Sequence, residues 1–122
     1  MGVTIARKIV KGGAAVDHKE GNYYVGESLG SRVKAFIGIA GGNWGLNTCI
    51  VGNLVPTCHT VDGYYPGATI ISGPSKFLKD LNNNGGPEGK KVYSVWSIFD
   101  EFLMDQCLVW GKVTSRIPGQ TS

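Results

Sequence analysis

The run Val33-Lys34-Ala35-Phe36-Ile37-Gly38-Ile39-Ala40-Gly41-Gly42-Asn43-Trp44-Gly45 constrains this chain more than any other stretch. Seven of its first eight residues are apolar or glycine, which suits a strand covered on both faces in a parallel sheet rather than an alternating strand with one wet side. It then stops on Gly41-Gly42-Asn43. Such a run predicts a central strand of an open α/β sheet, delivering the backbone to the carboxyl edge where these sheets place ligands and chemistry.

The flanking sequence predicts the rest of an α/β alternation. Met1 to Lys11 reads as an amphipathic helix, with Val3, Ala6, Ile9 and Val10 on one face and Arg7, Lys8 and Lys11 on the other; Gly12-Gly13 ends it. No capping residue precedes it. Ala14 to Gly30 is a polar excursion containing Asp17, His18 and Glu20, and residues from about 41 to 74 form a long Gly/Pro-rich loop. A loop of that length is unusual unless functional. Ser75 to Leu81 predicts a short helix with Ser75 as its cap, and Lys91 to Phe99 a second strand rich in β-branched and aromatic residues, running into Asp100-Glu101. A short extended piece is expected around Leu108 to Val113. Two parallel strands with helices cannot satisfy both sheet edges, so the pattern implies a piece of a larger sheet.

A length of 122 residues allows one domain and not two. With 42% hydrophobic and only 17% charged residues the chain is globular, while its 19 glycines imply much irregular backbone. The net charge of +3 is spread along the chain without a basic cluster, which argues against a nucleic-acid surface. No apolar run approaches the roughly 20 residues a transmembrane helix needs. Arg7 and Lys8 interrupt the apolar core a signal peptide would need. Of the three cysteines, Cys49 and Cys58 lie in the long loop, where a disulfide would staple irregular backbone; the alternative is three reduced thiols. Cys107 is left without a partner in either case.

Asp100 is the preferred chemical group, because a carboxylate at the carboxyl end of a buried strand can orient an imidazole. Glu101 and Asp105 are rivals with poorer placement. Gly26-Glu27-Ser28-Leu29-Gly30 matches the G-x-S-x-G pattern of a nucleophile elbow, but it precedes the strand instead of following one, so Ser28 reads as a loop or capping serine. His18 and His59 both precede Asp100, against the order nucleophile, acid, histidine. Cys49, Cys58 and His59 lack a recognised zinc spacing, and no metal is assigned. Tyr64-Tyr65-Pro66 either lines an apolar pocket or packs the loop.

Three segments together carry a resemblance: Met1-Gly2-Val3-Thr4-Ile5-Ala6-Arg7-Lys8, Phe36 through Leu46, and Val92 through Glu101. They resemble the class 2 lipase family of α/β-hydrolases, across essentially the whole chain. The resemblance implies a partial α/β-hydrolase fold, the C-terminal part of a mainly parallel sheet with flanking helices, as one partial domain over 1–122. In that family the elbow reads Gly-His-Ser-Met-Gly, and Met1-Gly2 matches its last two residues. The nucleophile is then expected one position before Met1, the Met1 backbone nitrogen in the oxyanion hole, Asp100 as the triad acid and the histidine beyond Ser122. The implied activity is serine-dependent hydrolysis of lipid or other carboxylic esters by a secreted parent protein, without a cofactor. The chain alone is then expected to be inactive; the alternative is a degenerate lipase-like binding module.

Overall fold

The computed structural model describes residues 2–50, 55–68, 73–97, 108–109 and 112–121. Helix α1 (Gly2–Lys11) leads into a hairpin of β1 (Ala14–Asp17) and β2 (Gly21–Tyr24), and then to β3 (Ala35–Ile39). Short 3-10 turns at Asn47–Cys49 and Pro56–Cys58 shape the long loop before α2 (Lys76–Asn83), β4 (Lys91–Val95), and a small hairpin of β5 (Leu108–Val109) and β6 (Lys112–Val113). The architecture is a small α/β arrangement of helices and short sheets. At its centre β3 and β4 pair in parallel, from Ala35 opposite Lys91 to Ile39 opposite Val95. Parallel strands need a crossover rather than a tight turn, and α2 lies within it.

The ends of the helices follow from local chemistry. Gly12 closes α1 at a φ of 69°, its N–H bonding Lys8 O at 2.8 Å. A Cβ there would also lie 2.4 Å from Gly26 O, so the position requires glycine on both counts. Ser75 caps α2: its Oγ accepts from Leu78 N–H at 3.3 Å and donates to Gly63 O at 2.6 Å.

Two expectations need correction. The first concerns the faces of β3. Val3 of α1 and Ile117 pack on the side of Gly38, close enough that a Cβ at Gly38 would lie 2.9 and 3.1 Å from their side chains. The other side carries Ile37, Ile39 and Val95, which are 59%, 68% and 53% exposed. Thus, among the described residues, the sheet is covered on one face, not both. Beyond β4, the 117–121 segment supplies partners: Thr121 N–H donates to Val92 O at 2.7 Å, and Val92 N–H to Thr121 Oγ1 at 3.0 Å.

The second concerns α1, which buries Thr4, Arg7 and Lys8 while Ile5 and Ile9 are about half exposed. The polar side is inward because it has partners. Arg7 reaches Glu88, Asn43 and Asn82, and the Lys8 ammonium donates to Gly12 O at 3.0 Å and Ala14 O at 2.8 Å. Ala14 to Gly30 is likewise more ordered than expected, containing the β1–β2 hairpin in register from Ala14 opposite Tyr24 to Asp17 opposite Gly21.

Candidate functional site

Two places concentrate polar chemistry. The first is the carboxyl edge of β3 and β4. There Ala40 takes a φ of 52° while its N–H holds Val95 O at 2.8 Å, a left-handed conformation uncommon for a residue with a side chain. The turn it starts delivers Asn43 into the interior, fully buried. All of this asparagine's groups are used: its amide nitrogen donates to Ser115 O at 3.1 Å, its side-chain oxygen accepts from Arg7 at 2.9 Å, its backbone N–H bonds Thr114 O at 2.7 Å and its carbonyl accepts from Asn82 at 2.7 Å. Asn43 therefore ties the end of β3 to α1, α2 and the segment after β6.

Arg7 completes that network. Its Nε donates to Glu88 Oε1 at 2.7 Å, with the two side chains 0% and 3% exposed. Burial lowers the guanidinium's pKa from its ordinary value, and the hydrogen bond and charge of Glu88 oppose that fall. Beyond Asn43, a cavity of about 390 Å³ is lined by Trp44, Lys112, Arg116 and Ile117 among others, with the Lys112 ammonium 4.1 Å from the Trp44 ring centre.

Met1, Asp100, Glu101, Asp105 and Cys107 lie outside the described residues. The structure reaches the segments that lead to two of them: α1 starts at Gly2, and β4 ends at Val95, in parallel with β3. Ser28 is an exposed loop residue whose Oγ accepts from Gly30 N–H at 3.4 Å. It matches the loop-serine reading. Cys49 and Cys58 form the expected disulfide, with Cα atoms 5.1 Å apart. They sit in a core with Tyr64 and Leu78, against which Leu46 and Phe77 pack, so Tyr64 packs the loop. The Tyr64 hydroxyl also hydrogen-bonds Thr4, joining this loop to α1.

The second place is a cluster that sequence reasoning did not find. His18, in the β1–β2 turn, donates from Nδ1 to both oxygens of Asp62, at 2.8 and 2.9 Å, and its backbone N–H reaches Oδ2 at 3.2 Å. His59 lies beside it, the ring centres 3.8 Å apart and the planes 14° from parallel. His59 Nδ1 accepts from Val61 N–H at 3.1 Å and faces Asp62 Oδ1 at 3.6 Å. The side chains of His18, His59 and Asp62 are 22%, 21% and 19% exposed. Among the described residues, Asp62 is thus a carboxylate that holds an imidazole. Histidine and aspartate 44 residues apart have no spacing that would advertise them; only the fold brings them together.

Comparison with known proteins gives one positive result. A family model described as Lipase (class 2) matches residues 1–122. No curated protein and no solved structure matches the chain.

Proposed function

Because the chain belongs to the class 2 lipase family, we propose that it forms part of a serine-dependent carboxylic-ester hydrolase of α/β-hydrolase type, acting on lipid or related esters. The observation that carries this reading is the family match over 1–122, and the parallel pairing of β3 with β4 agrees with an α/β fold.

In the proposed chemistry a serine preceding Met1 attacks the ester carbonyl while a histidine following Ser122 takes its proton. The Met1 backbone N–H stabilises the oxyanion, and the histidine returns the proton to the departing alcohol. Asp100, five positions after the last residue of β4, holds the imidazole in the productive tautomer. Water then releases the acid by the same steps in reverse roles. The Cys49–Cys58 disulfide supports an extracellular location.

On this reading the 122 residues alone give no ester turnover above background, since a triad acid without its nucleophile and base retains only residual catalysis. Incubating the purified chain with p-nitrophenyl butyrate tests this. Turnover abolished by Ser28→Ala overturns the elbow assignment. An in-frame Gly-His-Ser directly before Met1 is expected in the encoding gene; its absence turns the reading to a lipase-like binding module without chemistry.

A further inference from the structure

We propose that His18, His59 and Asp62 form a binding site for a borderline divalent transition metal ion, zinc in the first instance, which clips the β1–β2 turn to the disulfide loop.

Two imidazoles and a carboxylate meet between the β1–β2 turn and the disulfide loop. His59 Nδ1 accepts a hydrogen bond from Val61 N–H at 3.1 Å, so that nitrogen carries no proton and has none to give to Asp62. It nevertheless faces Asp62 Oδ1 at 3.6 Å, acceptor against acceptor. The same oxygen takes the Nδ1 proton of His18 at 2.8 Å. Two imidazole nitrogens and a carboxylate thus converge on one region, and their donor atoms all lie within 4.8 Å of one another. A cation replacing the His18 proton can bind all three groups, the single lone pair of His59 Nδ1 turning from Val61 N–H to the ion.

Donor chemistry selects the ion. Two nitrogens and one carboxylate oxygen suit zinc and its neighbours, whereas calcium and magnesium require sets made of oxygen. Tetrahedral zinc with ligands at its usual bond lengths places donor atoms about 3.3 Å apart. The distances to Asp62 Oδ1, 2.8 Å from His18 and 3.6 Å from His59, bracket that value. Three protein ligands leave the fourth position to water.

Loading opens the stacked rings into a wedge, because a cation in the plane of one imidazole lies out of plane for a parallel neighbour. This needs side-chain rotation at the partly exposed His18 and His59 and release of the Val61 N–H bond to His59. Their backbones are already fixed: His59 follows Cys58 of the disulfide, and Gly63 N–H bonds His59 O at 2.9 Å while Tyr64 N–H bonds Thr57 O at 2.7 Å. The turn that presents His59 and Asp62 is therefore built before any ion arrives.

The chain contains only two histidines, so imidazole ligation maps to one place. The untagged 122-residue chain, carrying Cys107→Ser to remove a competing thiol, is titrated with cobalt(II). The expected result is saturation at one equivalent with the strong visible absorption of a tetrahedral site, displaced by zinc but not by calcium. That absorption is lost in His18→Gln, His59→Gln and Asp62→Asn, each checked for an unchanged far-ultraviolet dichroism spectrum. Should a variant unfold, the imidazole nuclear magnetic resonances of the Cys107→Ser chain decide instead: zinc must shift both histidines. Absence of saturable absorption, absorption surviving the loss of both histidines, or unshifted imidazole resonances overturns the proposal.

Discussion

Arg7 and Glu88, 81 positions apart in the sequence, meet at 2.7 Å in the interior, and the network they anchor also reaches Asn43 and Asn82. Neither charge is replaceable in isolation, because the partner left behind would be buried and unpaired. Glu88→Gln is expected to cost about 3–5 kcal/mol of unfolding free energy. Arg7→Met combined with Glu88→Leu should cost less than the two single changes added together, as measured by urea denaturation in a double-mutant cycle. Strict additivity would show that the pair is not coupled.

Reduction of Cys49–Cys58 should lower stability by about 3 kcal/mol, from the freedom restored to a short loop of the unfolded chain. The urea midpoint with and without a phosphine reductant measures it. The Cys49→Ala/Cys58→Ala variant must start at the lower value and show no response to reductant from this pair.

Tyr64 supplies a pH prediction whose sign can be worked out. Burial pushes its phenol pKa up, with the Thr4 hydrogen bond acting in the opposite direction. The unfolded chain therefore loses this proton first, near pH 10, and the folded state holds more protons above that point. Stability must fall as pH rises from about 10 through the raised folded value. Comparing chemical denaturation of the protein and Tyr64→Phe between neutral and alkaline pH isolates this contribution: the slope should be shallower in the variant. An equal slope in both would contradict it.

Ser115 is buried, and its hydroxyl has no hydrogen-bond partner among the described residues. An unpaired buried hydroxyl costs about 1–3 kcal/mol. Ser115→Ala is accordingly expected to leave the protein as stable or more stable, against the usual direction of a core substitution. A clear loss in urea denaturation would mean the hydroxyl is satisfied.

Much of the framework was legible because its signals are local. Gly12-Gly13 marked the end of α1, Ser75 the start of α2, and the apolar runs around Phe36 and Val92 the parallel pair β3–β4. The Cys49–Cys58 bridge was legible for the same reason. The faces were harder to read. Periodicity grouped Arg7 and Lys8 on one side of α1 but says nothing of a buried Glu88 more than eighty positions away that makes that side the inner one. Likewise the unbroken apolar run of β3 reads as covered on both faces, although Ile37 and Ile39 are exposed. The hairpin at Ala14–Tyr24 escaped notice because Gly21-Asn22-Tyr23-Tyr24 is wholly exposed and carries no alternation. The His18, His59 and Asp62 cluster is a product of tertiary contact alone.

The proposed role of Asp100, as the triad acid of an ester hydrolase, is open to measurement. Its most direct measurement is kcat on p-nitrophenyl butyrate for the polypeptide read in frame from before Met1 and through the proposed histidine beyond Ser122, wild type against Asp100→Asn. The expected result is a fall of about ten-thousandfold in kcat, by analogy with removal of a triad aspartate's charge, with little change in KM and none from Ser28→Ala. Undiminished turnover in Asp100→Asn would contradict it.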